Sequence, residues 1–200
     1  MTLLFACIAL VLAAQDGIPV NFEGDKPTIS DFAWAFLSFT GDDEEEECCM
    51  DESTNAFKEA WIRYREGVPQ PEGETLSVDQ KNGFILYESR YEEHLLRIEM
   101  CYWNESDKKH KLLAYCISGY FNDVYSPGQF DGLSFFRYDN ATKTMTGCDA
   151  PGFEVEYWLS DGVYVSYDLP RSGKDITVNY WYGDRQEQKT LKWNGRRFSL

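Results

Sequence analysis

The spacing of hydrophobic residues changes along the chain, from helical spacing in the first third to alternation in the rest. An apolar segment that opens at Ser30 and ends near Thr40 predicts a first helix, with Ser30 as its N-cap. A second helix is predicted over residues 52–65, where apolar residues recur at helical intervals: Phe57, Ala60, Trp61 and Tyr64. After Gly83 the apolar positions alternate, which is typical of strands.

The alternating part breaks into short segments separated by turn residues, with no helical segment between them. This arrangement predicts antiparallel pairing, because parallel strands need long crossover connections. Asp161-Gly162 is a turn dipeptide of the kind that closes hairpins. The predicted strands are 84–89, 95–103, 111–117, 133–138, 144–146, 153–159, 163–167, 175–182 and 189–193.

These elements predict an α+β fold, with two N-terminal helices packed on a mainly antiparallel β-sheet. A meander, a sandwich and a partial barrel fit the alternation equally well. We expect a single globular domain over residues 15–200. Its helical part covers residues 15–66, a connector rich in glycine, proline and polar residues covers 67–83, and the antiparallel sheet covers 84–200.

The N-terminus carries an uncharged apolar segment at residues 3–14, followed by polar residues. That length suits a signal peptide and is too short for a helix that spans a bilayer. We therefore expect residues 1–14 to be a signal peptide and the mature chain to be periplasmic or extracellular. A lipoprotein acylated at Cys7 is the alternative, but the apolar segment continues past that cysteine, which favours the signal peptide.

Charge narrows the choice of partners. The net charge is −15, while the apolar fraction is 43% and the aromatic fraction is 16%. Because such a charge repels nucleic acids and anionic lipids, we expect no nucleic-acid partner. A glycan or a cationic protein is the partner that this composition favours, and we expect no transmembrane segment in the mature chain.

Neither a metal site nor a cofactor site is predicted. His94 and His110 are the only histidines, no Cys-x-x-Cys spacing occurs, and no phosphate loop or dinucleotide fingerprint is present. Cys101 and Cys116 flank a predicted hairpin, so a disulfide there and free thiols are both compatible with the sequence. Five cysteines follow the signal segment: Cys48, Cys49, Cys101, Cys116 and Cys148.

Three predicted strands end in Tyr-Trp, and the register places each tryptophan on the polar side of its strand. Sugars bind such surfaces, because their C–H face stacks on an indole while carboxylates accept their hydroxyl groups. The predicted ligand-binding residues are Trp103, Trp158, Trp181, Glu99, Glu156 and Tyr164. The alternative is that these tryptophans are buried under the two helices, since aromatic residues are mostly found in cores.

Acidic residues leave two further functions open. A glycoside hydrolase uses two carboxyl groups, and Glu99 with Glu156 is the pair that the predicted register brings to one face. An inhibitor-like protein would contact a cationic partner through the acidic run at residues 42–47. Such a run is also typical of a solvated loop.

Several stretches resemble small secreted proteins of anaerobic gut bacteria. They are residues 98–104 (IEMCYWN), 109–112 (KHKL), 129–135 (QFDGLSF) and 190–195 (TLKWNG). The resemblance covers the strand half and implies a location in the bacterial envelope. It carries over neither an activity nor a catalytic residue.

We therefore expect an exported, non-enzymatic binding or interaction domain of the bacterial envelope. Its specific hypothesis is carbohydrate binding through the tryptophan-bearing face of the sheet, without a cofactor and without a catalytic residue. A glycoside-directed hydrolase and an acidic inhibitor-like protein are the alternatives.

Overall fold

The computed structural model describes residues 17–39, 52–155, 162–183 and 185–200. Within them the chain forms two helices, α1 (Ile29–Phe39) and α2 (Glu52–Glu66), and twelve strands. The strands are β1 (Ile18–Pro19), β2 (Glu74–Asp79), β3 (Phe84–Tyr91), β4 (His94–Asn104), β5 (His110–Phe121), β6 (Val124–Tyr125), β7 (Gly132–Asp139), β8 (Thr144–Gly147), β9 (Val163–Asp168), β10 (Ile176–Tyr182), β11 (Arg185–Trp193) and β12 (Phe198–Ser199).

The described strands form two sheets, and every pair between them is antiparallel. The large sheet has the order β1-β8-β7-β5-β4-β3-β2, with β6 added beside β5, and it curls into a half-barrel. The small sheet has the order β12-β11-β10-β9. The predicted α+β class with mainly antiparallel sheets is therefore confirmed.

Helix α1 begins two residues earlier than its predicted cap allows. Asp31 Oδ2 accepts hydrogen bonds from the backbone N–H and the hydroxyl of Thr28, each at 2.7 Å. Thr28 therefore stands at the N-cap and Asp31 reaches back to it, which is the arrangement of a capping box. The prediction that Ser30 caps this helix is wrong, because Ser30 is already helical.

Two polar segments were harder to assign from the pattern. The predicted connector contains β2, whose Leu76 and Val78 pack against the helix-side core. Strand β11 begins at Arg185, well before the predicted residue 189. Both strands lie at or near a sheet edge, where one side of the strand is solvated and carries polar residues. Most of the hairpin predicted for residues 153–167 lies outside the described residues.

One face of the large sheet carries a core built from aromatic rings of the helices and strands. The ring of Phe32 lies 5.0 Å from that of Tyr138, and the ring of Phe36 lies 4.6 Å from that of Tyr115. On α2, Thr54 and Tyr115 hydrogen-bond through their hydroxyls at 3.0 Å. We call this side of the large sheet the helix-side face. Neither described helix is long and apolar enough to cross a membrane.

The opposite face of the large sheet meets the small sheet, and we call it the inner face. A second core joins residues of β4 and β5 to residues of the small sheet, including Ile176, Val178 and Leu191. Strand β9 reaches the large sheet along its free edge, because the backbone N–H of Leu169, just after the strand, donates to Glu99 Oε2 at 3.0 Å. The large sheet is thus covered on both faces.

Cys101 and Cys116 are both buried in the inner-face core, and both thiols are free. In the register of β4 and β5, Cys101 lies opposite Ala114 and Cys116 lies opposite Glu99. The two thiols are therefore diagonal neighbours rather than a direct cross-strand pair. Burial raises the pKa of both thiols, which keeps them protonated and unreactive.

Candidate functional site

Trp103, a predicted ligand-binding residue, is only 4% exposed. Its indole N–H donates to the backbone oxygen of Lys174 at 2.9 Å, and its ring contacts those of Trp193 and Phe198. All of these partners come from the small sheet or its loops. An indole that is enclosed and already hydrogen-bonded offers no open surface for a sugar.

Trp181 is 8% exposed and also fully engaged. Its indole N–H donates to Ser166 Oγ at 2.9 Å, and its ring lies between 6 and 7 Å from those of Tyr120 and Tyr125. The clusters that bury Trp103 and Trp181 contain no residue of α1 or α2 among the described residues. Both tryptophans are therefore buried, but the small sheet covers them, and the helices expected as their cover lie on the other face.

Of the four predicted ligand-binding residues that the structure describes, Tyr164 alone is exposed. It lies on β9, directly opposite Trp181 of β10. Glu156 and Trp158 lie outside the described residues, and so do the signal segment with Cys7, the acidic run at 42–47, and Cys48 and Cys49. The structure therefore does not bring the predicted set together on one open face.

Glu99 belongs to a group of polar side chains between the sheets, which we call the inter-sheet polar cluster: Glu88, Arg97, Glu99, Asp168 and Asn179. Arg97 joins the sheets, because its Nη2 lies 2.9 Å from Glu88 Oε1 and its Nη1 lies 3.7 Å from Asp168 Oδ1. Asn179 Nδ2 donates to the other oxygen of Asp168 at 2.9 Å. The cluster is half open, since Glu88, Arg97 and Asp168 are partly exposed while Glu99 is buried.

Burial of Glu99 has an electrostatic consequence. Desolvation raises the pKa of its carboxyl to about 7, and the negative charges of Asp168 and Glu88 act in the same direction. The Leu169 amide and the Arg97 guanidinium oppose this rise, because they stabilise the ionised form. Glu99 therefore exchanges its proton near neutral pH, as a general acid or a pH sensor does.

An open aromatic surface does exist, at the end of the helix-side face. Tyr91, His94 and Phe121 lie opposite one another on β3, β4 and β5, so their side chains form one row across three strands. Tyr91 is 72% exposed and Phe121 is 44% exposed. The His94 ring lies 4.9 Å from that of Phe121. We call this row the aromatic rim.

Two tight turns hold the aromatic rim in place. Glu92 at φ 51° follows Tyr91, and Asn122 and Asp123 at φ 49° and 60° follow Phe121. Such left-handed residues give a two-residue hairpin its twist, and a glutamate there is unusual. The turns are joined, because Asn122 N donates to the Glu93 backbone oxygen at 2.9 Å. They therefore present several carboxylates beside the exposed rings.

The sequence contains a signal for this rim that the alternation alone does not use. Tyr91-Glu92-Glu93-His94 and Phe121-Asn122-Asp123-Val124 each place an aromatic residue at the last position of a strand, directly before a polar turn. An aromatic side chain at a strand end is left uncovered when the packed layer is shorter than the strand. The length of α2 relative to β3–β5 decides this, and only the structure gives it.

Glu105, Asp107 and His110 bring three possible metal ligands within 4.8 Å of one another. Arg137 already binds there, because its Nε and Nη2 donate to the two oxygens of Glu105 at 2.8 and 2.7 Å. His110 Nδ1 lies 2.5 Å from Asp107 Oδ2, and this contact lowers the pKa of Asp107 to about 2. A guanidinium at the centre opposes a metal cation, so the group is best described as an ion-pair network.

Comparison with known proteins gives no relative: no family model, no curated protein and no solved structure matches the chain. The chemistry of the aromatic rim and of the inter-sheet polar cluster therefore carries the functional argument.

Proposed function

We propose that this protein is an exported, non-enzymatic binding protein of the bacterial envelope that recognises a glycan through the aromatic rim. The observation that carries the proposal is the row formed by Tyr91, His94 and Phe121, in which rings on three neighbouring strands lie open to solvent. Exposed aromatic patches on a folded domain mark interaction sites.

The dimensions and the polar surroundings of the row favour a sugar chain. Neighbouring strands are ~4.8 Å apart, so Tyr91 and Phe121 are separated by roughly 10 Å, a length comparable to two linked pyranose rings. The electron-rich ring faces attract the C–H face of a sugar. Glu92, Glu93 and Asp123 stand beside the rings as acceptors for hydroxyl groups.

Charge supports a neutral or cationic ligand over an acidic one. Glu92 and Glu93 are exposed beside the row, and Arg90 is already paired with Asp123 at 3.3 Å. The net charge of −15 adds to this local repulsion of anions. Export to the periplasm or the cell exterior is the part of the proposal that rests on the apolar segment at residues 3–14.

Binding to a panel of cello-, xylo- and chito-oligosaccharides tests the proposal. We expect Tyr91→Ala and Phe121→Ala each to weaken binding about tenfold, since a ring contact contributes about 1–1.5 kcal/mol. Tyr182→Ala is the matched control, because Tyr182 is an exposed tyrosine at the end of β10. Binding that survives the double Tyr91→Ala, Phe121→Ala variant contradicts the proposal.

A glycoside-directed hydrolase is the second candidate, and the protonation behaviour of Glu99 favours it. Its pKa of about 7 suits a general acid, and Asp168 supplies a second carboxyl group close by. The hydrogen bond from Leu169 also gives Glu99 a role in holding β9. Release of reducing ends that is lost in Glu99→Gln would support the hydrolase, and binding without release supports the first proposal.

A further inference from the structure

Glu99 stands where the two sheets meet, with charged and titratable groups around it on every element that packs against it. They are Glu88 of β3, Arg97 and Cys101 of β4, Cys116 and Tyr120 of β5, Asp131 of the loop before β7, and Asp168 of β9. Burial raises the pKa values of both thiols and of Tyr120, so these three stay neutral. The charge balance around Glu99 is therefore set by the carboxylates and Arg97.

That balance changes sharply with one proton. Arg97 is the cation among the described residues that face Glu99, and it is already shared between Glu88 and Asp168. When Glu99 is protonated, two carboxylates face one guanidinium. When Glu99 ionises, three carboxylates face it inside a partly desolvated contact, and one of the three belongs to β9.

We propose that the inter-sheet polar cluster is a proton-controlled latch: proton uptake by Glu99 tightens the contact between β9 and the large sheet, and proton release loosens it. The latch lies on the inner face, apart from the aromatic rim, and does not depend on glycan binding. Its direct mechanical link is the hydrogen bond from the Leu169 amide to Glu99 Oε2. A loosened latch weakens the hold on β9, which pairs only with β10 in the small sheet.

Aromatic residues connect the latch to a spectroscopic reporter. The Arg97 guanidinium carbon lies 5.6 Å from the centre of the Tyr120 ring, and that ring lies 6.3 Å from the Trp181 ring. The indole N–H of Trp181 donates to Ser166 on β9. A shift of Arg97 or of β9 therefore reaches the Trp181 indole, whereas Trp103 is held by Lys174 at a different part of the inner face.

Nuclear magnetic resonance of the full-length protein, followed from pH 5 to 9, tests the latch. We expect the Leu169 amide and the Trp181 indole N–H to shift together with a midpoint near pH 7, while the Trp103 indole N–H stays constant. The protection factor of the Leu169 amide against hydrogen exchange should fall at least tenfold between pH 6 and pH 8. Absence of any transition at Leu169 in this range overturns the proposal.

Variants identify the group that titrates. Glu99→Gln, which mimics the protonated acid, should abolish the transition and keep Leu169 protected at pH 8. Asp168→Asn and Glu88→Gln each remove a negative neighbour and should move the midpoint to lower pH, and they serve as the test if Glu99→Gln does not fold. The double variant His94→Gln, His110→Gln should keep the transition. A transition that persists in Glu99→Gln, or disappears with the histidines, contradicts the latch.

Discussion

The inner face and the aromatic rim contain similar residues in opposite situations. On the inner face, Trp103 lies under the small sheet and is 4% exposed, whereas Tyr91 at the rim is 72% exposed on the same large sheet. Both aromatic residues stand near carboxylates and at the end of an alternating strand. What distinguishes them is the second layer of the fold, which covers one and stops short of the other.

This comparison separates the two roles that an aromatic residue can have on a sheet. A covered ring contributes to stability through buried area and packing, while an open ring is available for a ligand. If the comparison is right, substitutions on the inner face change the free energy of unfolding and substitutions at the rim change binding.

The largest expected effect is at Trp103. Trp103→Ala should lower the free energy of unfolding by about 3–5 kcal/mol, because it leaves a large cavity in the inner-face core and removes the hydrogen bond to Lys174. Tyr91→Ala should change it by less than about 0.5 kcal/mol, as expected of an exposed residue. Denaturant unfolding of both variants measures the difference. Similar losses in the two variants would remove the distinction between the covered and the open ring.

The second effect concerns pH. The pKa of Glu99 is about 7 in the folded protein against an ordinary value of 4.5, so the folded state binds the proton more tightly. Its contribution to stability is therefore fully present below about pH 4.5 and is lost as pH rises to about 7. At ~1.4 kcal/mol per pH unit, the loss is on the order of 3 kcal/mol.

Denaturant unfolding at several pH values checks this effect, with Glu99→Gln as the variant that should lose this part of the pH dependence. Glu93→Gln is the control, because Glu93 is exposed at the rim and should leave the dependence intact. A wild-type stability that rises between pH 4.5 and 7 has the wrong sign for a buried carboxyl with a raised pKa.

A smaller effect is expected in the turn that supports the rim. Glu92 has a left-handed backbone with φ 51°, which a β-branched residue adopts only with strain. Glu92→Val should therefore be less stable than Glu92→Gly by about 1–2 kcal/mol. Glycan binding should weaken in the valine variant if the turn positions Tyr91. Equal stabilities would show that this turn does not hold the backbone as described.

The smallest effect tests the cap of α1. Thr28→Ala should cost about 1 kcal/mol, because it removes the hydroxyl that donates to Asp31. Ser30→Ala, at the residue that the sequence pattern favoured as the cap, should cost less. Thermal unfolding of the two variants ranks them, and the reverse order would return the cap to Ser30.

Much of the local structure could be predicted from sequence, because alternation and helical spacing are local. The helix at residues 52–66 and the strands around residues 84–121 follow from the pattern within one or two residues at most of their ends. The short polar strand β2 was less visible, since its two apolar residues sit between glycine-rich and proline-rich stretches. The register also assigned Trp103 correctly to the face opposite the helix-side core.

The candidate site could not be predicted in the same way. Alternation shows which residues share a side of a strand, but the layer that covers that side comes from residues far along the chain. Glu99 and Asp168 are 69 positions apart and meet only because β9 reaches the large sheet by its edge. Whether a tryptophan on the polar side of a strand is open or buried is decided by that tertiary contact.

Mapping a bound oligosaccharide on the isotope-labelled protein by nuclear magnetic resonance tests the central claim most directly. With the tightest binder of the oligosaccharide panel, the account predicts shifts at Tyr91, His94 and Phe121, while the indole N–H signals of Trp103 and Trp181 stay unchanged. Shifts centred on the two indoles, with the rim unaffected, would contradict it.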